Sequence, residues 1–134
     1  MKNGGVITVT SKILIVEDEI IIAIDLKIRL ENLGYYVPGI AVNGKDAIKK
    51  TEEKNPDLIL MDILLNGETD GIEVAQQIRN QYNIPIIYLT GSQNNSLLEK
   101  AKITEPYGYI NKPFDNTEID SAIQLAVSKT NNSS

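Results

Sequence analysis

At 134 residues with 42% hydrophobic side chains, the chain has room for one domain with its own core. A net charge of -5 excludes the basic footprint that nucleic-acid binding needs, and the absence of histidine excludes imidazole metal sites and histidine general bases. There is no cysteine for a disulfide framework, and no apolar stretch reaches the roughly 18 residues of a membrane span, so a soluble cytoplasmic domain is expected.

In chain order, 1–11 is polar and glycine-containing and reads as a flexible N-terminal extension. The first apolar run, Lys12–Val16, leads into Glu17-Asp18-Glu19. Ile22, Leu26, Leu30 and Leu33 then recur at helical spacing, predicting a helix that Gly34 stops. Tyr36–Val42 is the second apolar run, and Gly44–Glu53 reads as a shorter helix. The third run, Asp57–Met61, ends on Asp62, and Gly71, Val74, Ala75 and Ile78 form the next helical stripe. Pro85–Leu89 leads to Thr90 and is followed by a short helix over Ser96–Ile103. Tyr107–Ile110 leads to Asn111-Lys112-Pro113, Ile119, Ala122, Ile123 and Ala126 mark a last helix, and 129–134 reads as a polar tail.

Most of these runs are rich in Ile, Leu and Val and do not alternate with polar residues, as expected of strands covered on both faces. The β-α unit repeats five times, which predicts one α/β domain over 12–128 with helices on both faces of a parallel sheet. The carboxyl ends of such strands gather at one edge. Glu17, Asp18, Asp62 and Lys112 would then share a pocket there.

Each residue has a plain local explanation. Asp18 fits the N-cap of the following helix, with Glu19 favourable beside its dipole. Asp62 fits a turn, Lys112 a solvated surface, Thr90 a strand end and Tyr109 core filling. Grouping changes this. Two carboxylates about 5 Å apart at an effective dielectric of about 20 repel by roughly 3 kcal/mol, so a chain that gathers three must offset the cost with a cation. Hard oxygen ligands with open positions suit Mg²⁺, and Lys112 adds a fixed positive charge. A metal and an ammonium beside a carboxylate are what phosphoryl transfer requires, and an aspartate can serve as its nucleophile.

The chain resembles the receiver domain of two-component response regulators over roughly residues 12–128. The residues that carry the resemblance are Val16-Glu17-Asp18-Glu19, Leu60-Met61-Asp62, Asp70-Gly71, Pro85 to Thr90, and Gly108 to Phe114. It implies a flavodoxin-like (βα)5 fold, a doubly wound five-stranded parallel sheet of order 2-1-3-4-5. It makes Asp62 the acceptor of a phosphoryl group from a histidine kinase or phosphotransfer protein. Asp18, Asp62 and the backbone carbonyl of Leu64 would ligate Mg²⁺, with Glu17 acting mostly through water. Thr90 and Lys112 would hold phosphoryl oxygens, and Tyr109 would be the rotating aromatic of the switch. The resemblance further implies a cis peptide before Pro113 and a domain that assists its own phosphoryl transfer and slow dephosphorylation without being an enzyme. A homodimer would form through the face of the fourth helix, fifth strand and fifth helix.

Three departures from the family's pattern stand out. The loop after Asp62 is one residue longer than the common pattern, Asn66 replaces a usual proline, and Gly91 replaces a usual alanine, which would leave room over the phosphoryl site. Leu64 and Ser92, two residues after Asp62 and Thr90, are the positions best placed to orient a hydrolytic water. Neither favours fast loss, so a long-lived phosphate is expected. A flavin- or nucleotide-binding protein on the same topology would need a phosphate-cradling loop where this chain has Glu17-Asp18-Glu19. An aspartate-nucleophile phosphatase would need an acid where Leu64 stands. Within the receiver reading, the chain is either a stand-alone receiver or a module excised from a larger sensor kinase or regulator. The run from Ala101 to Tyr109 resembles receivers joined to such domains.

Overall fold

The computed structural model describes residues 11–65, 71–91 and 95–132. Five strands, β1 (Ile13–Val16), β2 (Ile40–Ala41), β3 (Leu58–Asp62), β4 (Ile86–Thr90) and β5 (Gly108–Asn111), form one parallel sheet of order β2-β1-β3-β4-β5. Five helices alternate with them: α1 (Ile20–Asn32), α2 (Gly44–Lys54), α3 (Gly71–Gln81), α4 (Asn95–Ile103) and α5 (Asn116–Asn132). The unbroken apolar runs led to the expectation of a parallel α/β domain, and the family resemblance to that of this strand order. The extension before residue 11 lies outside the described residues.

Alternate side chains of the strands serve two cores. Leu14, Val16, Ile59, Met61, Ile86 and Tyr88 pack with α2, α3 and α4, while Ile13, Ile15, Leu58, Leu60, Ile87 and Leu89 pack with α1 and α5. Burial on both faces is why the strands show no alternation in sequence. At about 25 cal/mol per Å² of apolar surface, each fully buried Leu or Ile contributes roughly 1.5–3 kcal/mol. The sheet is therefore a rigid base for whatever its edge carries.

The local signals resolve in detail. Gly34 takes φ 100, and the Gly34 and Tyr35 amides donate to Glu31 and Leu30, which closes α1. Asn43 caps α2 by accepting from the Asp46 amide at 2.8 Å. Two spans differ from expectation. The second apolar run is a strand only at Ile40–Ala41, plus a bridge from Lys12 to Tyr36, because Pro38 has no amide to give the ladder. The segment read as a polar tail from residue 129 is still helix through Asn132, and the Thr130 hydroxyl donates back to the Ala126 carbonyl at 3.0 Å.

Candidate phosphoacceptor site

Three strands end at the site. Asp62, Thr90 and Asn111 are the last residues of β3, β4 and β5, and the register pairs Asp62 with Leu89 and Thr90 with Asn111. Glu17 follows β1 directly, its amide donating to the Ala41 carbonyl at 2.9 Å. Lys112 follows β5, its amide donating to the Thr90 carbonyl at 2.8 Å. Topology thus brings residues from across the chain to one edge.

Glu17, Asp18 and Asp62 each present a carboxylate oxygen within 4.8 Å of the others. Asp18 is not a helix cap: the N-cap position of α1 is Glu19, and its side chain makes no capping bond. The Lys112 ammonium donates to Glu17 Oε1 at 2.8 Å and lies 3.3 Å from Asp62 Oδ2. The second oxygen of Glu17 accepts the Glu19 amide at 3.1 Å, and Asp62 Oδ1 accepts the Leu64 amide at 3.0 Å. Asp62 is only 4% exposed, at the end of β3. Lys112-Pro113 is cis, as the family resemblance implied.

The electrostatics follow from burial. Glu17 has no exposed surface, and desolvation pushes its carboxyl up to about 7, with Asp62 adding to the rise and Lys112 and the Glu19 amide opposing it. Burial alone would pull the Lys112 ammonium down, but the hydrogen bond to Glu17 and the charge of Asp62 leave it above its ordinary value. Three carboxylates thus face one lysine, and the rise at Glu17 shows that the ammonium does not fully offset their burial and mutual repulsion. A divalent cation among the three carboxylates fits that deficit.

A pH dependence follows. With the unfolded Glu17 near 4.5 and the folded one near 7, the native state binds the extra proton between those values. Stability then falls as pH rises through that window, by on the order of 3 kcal/mol, and levels off above it. We expect urea unfolding to show this fall between about pH 5 and about pH 8, and Mg²⁺ or Glu17→Gln to flatten it. An equal slope in Glu17→Gln would assign the effect elsewhere.

Thr90 is 3% exposed at the same edge. Tyr109 lies one strand over, its ring against Tyr88 with centroids 6.1 Å apart and planes at 30°. Its hydroxyl is buried with no hydrogen-bond partner among the described residues, which costs about 1–3 kcal/mol and raises its pKa through desolvation. Asn66, Asp70 and Ser92 lie outside the described residues. At Gly91 an added Cβ would sit 3.6 Å from Lys112 Cβ, an ordinary contact, so the glycine is not sterically required there.

Two residues gain a role that spacing did not reveal. Gly71 opens α3 against the backbone of Asp62, where a Cβ would overlap the Asp62 carbonyl oxygen. Its signal was a glycine at a helix start. Tyr88 is a fully buried tyrosine in a strand that is otherwise Ile and Leu up to Thr90, and a lone phenol in such a run was the available cue.

Comparison with known proteins gives the family. The family profile described as response regulator receiver domain matches residues 13–124. Over 121 residues the chain is 36% identical to the transcriptional regulatory protein PdtaR of Mycobacterium tuberculosis, covering 90% of this chain and 58% of PdtaR. It is 34% identical to the phyllosphere-induced regulator PhyR of Methylorubrum extorquens, covering 87% of this chain and 43% of PhyR. The chain thus spans less than two thirds of the length of these relatives. Among solved structures, the signal receiver domain of a modulated diguanylate cyclase from Desulfovibrio desulfuricans superposes with a TM-score of 0.87 at 37% identity. That match covers 92% of this chain and 98% of the other. With three acids and a lysine at the strand ends of a 2-1-3-4-5 sheet and a family match over nearly its whole length, this chain belongs to the response regulator receiver domains.

Proposed function

We propose that Asp62 accepts a phosphoryl group from a phosphohistidine donor, a histidine kinase or phosphotransfer protein, in a reaction that uses Mg²⁺. The observation that carries this is the Glu17-Asp18-Asp62 cluster with the Lys112 ammonium 3.3 Å from Asp62. An Asp62 oxygen attacks phosphorus, the P–N bond to the donor breaks, and the histidine nitrogen keeps the electron pair. Asp18, Asp62 and the Leu64 carbonyl would hold Mg²⁺, which would neutralise charge on the phosphoryl oxygens. Glu17 would act through water, and its direct bond to Lys112 at 2.8 Å sets where that ammonium stands before the donor arrives. Lys112 and Thr90 would receive phosphoryl oxygens. A small-molecule phosphodonor with Mg²⁺ should add one labile, hydroxylamine-sensitive phosphate; a chain that takes up none refutes the proposal.

The surface beside the pocket supports a protein donor. Ile20, Ile21, Ile24 and Ile28 of α1 are all exposed and start next to Asp18, an apolar stripe for a partner to cover. Among the described residues no helix is long and apolar enough to cross a membrane.

The phosphate adds charge and acceptor oxygens that draw the Thr90 hydroxyl toward Asp62. Tyr109 then shifts into the space beside β5. Its hydroxyl is already buried while the residue as a whole is half-buried, so the move would cover the rest of the ring. The surface of α4, β5 and α5 changes with it, and the exposed Ile103 at the end of α4 supports self-association through that face. We expect Thr90→Ala to accept phosphate on Asp62 while the Tyr109 ring resonances stay at their unphosphorylated positions. A Tyr109 shift as large as in the wild type would refute the coupling.

Leu64 projects from the loop after β3 and is 56% exposed, so it covers the site only in part. It still offers no group to orient water. Leu64→Asn is expected to shorten the lifetime of the phosphate about tenfold, less than the roughly hundredfold or more of a true general base, because an amide can only orient the water. Equal or slower decay would count against this role.

A further inference from the structure

Tyr88 has no part in the chemistry described above, yet it touches both Tyr109 and the end of α4. Its ring stacks on Tyr109 across the β4-β5 register, in which the two residues are directly paired. Its hydroxyl lies 2.7 Å from Thr104 Oγ1, and Thr104 Oγ1 donates to the Ala101 carbonyl at 2.6 Å. With the threonine proton committed to Ala101, the Tyr88 hydroxyl is the donor of the first bond. The two bonds form a chain, Tyr88 to Thr104 to Ala101, that ends on the last turn of α4 and polarises along its length. Both side chains are buried, Tyr88 completely and Thr104 to 8% exposure, so water does not compete for the bond. A strand residue with this burial and an aliphatic side chain would pack equally well but would hold nothing.

The end of α4 is held from a second side. Glu105 turns there at φ 53, and its carbonyl accepts Arg79 Nη1 from α3 at 2.7 Å. Of these two ties, only the one through Tyr88 also contacts Tyr109.

We propose, on the receiver reading above, that Tyr88 relays the state of Tyr109 to the C-terminal end of α4. Its ring follows the Tyr109 ring, and its hydroxyl carries that displacement to Thr104 and Ala101. Tyr88 is thus a positioning residue of the output face, acting through Thr104 and not on the phosphoryl group.

The test follows amide and tyrosine-ring resonances of the full chain with and without Mg²⁺ and beryllofluoride, with uptake read by fluorine NMR. In the wild type, the amides of 101–104 should shift together with the Tyr109 ring. Tyr88→Phe, which removes one hydroxyl and keeps the ring, should take up beryllofluoride and retain the Tyr109 shift. Its response at 101–104 should fall at least about twofold. Thr104→Val should reproduce that loss, and the double variant should add little, because both cut one path. An undiminished response at 101–104 in Tyr88→Phe overturns the relay, as does a wild type that binds beryllofluoride without moving those amides. A wild type that takes up no beryllofluoride overturns the receiver reading itself, and the relay with it.

Discussion

Asp62→Asn is expected to abolish labelling by a small-molecule phosphodonor, a fall on the order of a hundredfold or more to background. The amide matches the carboxylate in size, so packing at the end of β3 is kept and the loss reports chemistry. The substituted side chain keeps an oxygen for the Leu64 amide that Asp62 Oδ1 now accepts at 3.0 Å, but a carboxamide is not a nucleophile. The charge change has its own signature. Removing Asp62 removes one source of the raised Glu17 pKa, leaving burial as the main one, so the fall in stability with rising pH should shrink without vanishing. Phosphate on Asp62→Asn at wild-type yield, with the label mapped elsewhere, would sink the assignment. Asp18→Ala should also lower labelling, with weaker Mg²⁺ binding seen directly by titration, because it removes one of the three clustered carboxylates.

Gly71→Ala should cost about 3 kcal/mol of stability, the upper range for forcing a group into a packed site. The new Cβ would overlap the Asp62 carbonyl oxygen and lie 3.0 Å from Asp62 C and 3.1 Å from Ile63 Cα. All three are backbone atoms beside a central strand, so no side chain can swing away to make room. Either α3 lifts off or the end of β3 bends, and both move Asp62. Urea midpoints should drop accordingly, with a melting temperature lower by roughly 10 °C. Labelling of Asp62 should slow even where the variant is fully folded. Gly108→Ala is the matched control: a Cβ there meets nothing within 4 Å, so stability should change little or rise slightly. A Gly71→Ala protein as stable and as readily labelled as the wild type would show that the close approach does not hold Asp62 in place.

Much of this protein follows from its sequence alone because the signals involved are local. Unbroken Ile, Leu and Val runs announce doubly covered strands, and Leu26 and Leu30 at helical spacing announce the buried face of α1. The ends of those runs are legible too, so Glu17, Asp18, Asp62 and Lys112 could be placed at one edge once a parallel sheet was inferred, and the family resemblance added Thr90. Pro38 was equally visible, but how far it shortened β2 depended on the ladder it failed to join.

Only the tertiary structure decided which groups meet. Lys112 bonds Glu17 across 95 residues of chain, and nothing in either segment encodes the 2.8 Å contact. The rise of the Glu17 pKa depends on how completely neighbouring elements exclude water from it. The overlap awaiting a side chain at Gly71, the buried hydroxyl of Tyr109 and the Tyr88–Thr104 bond belong to the same kind. Periodicity and turn chemistry act over a few residues and leave a pattern in the sequence. Desolvation, ion pairing and steric exclusion depend on distances between packed elements, and those exist only once the chain has folded.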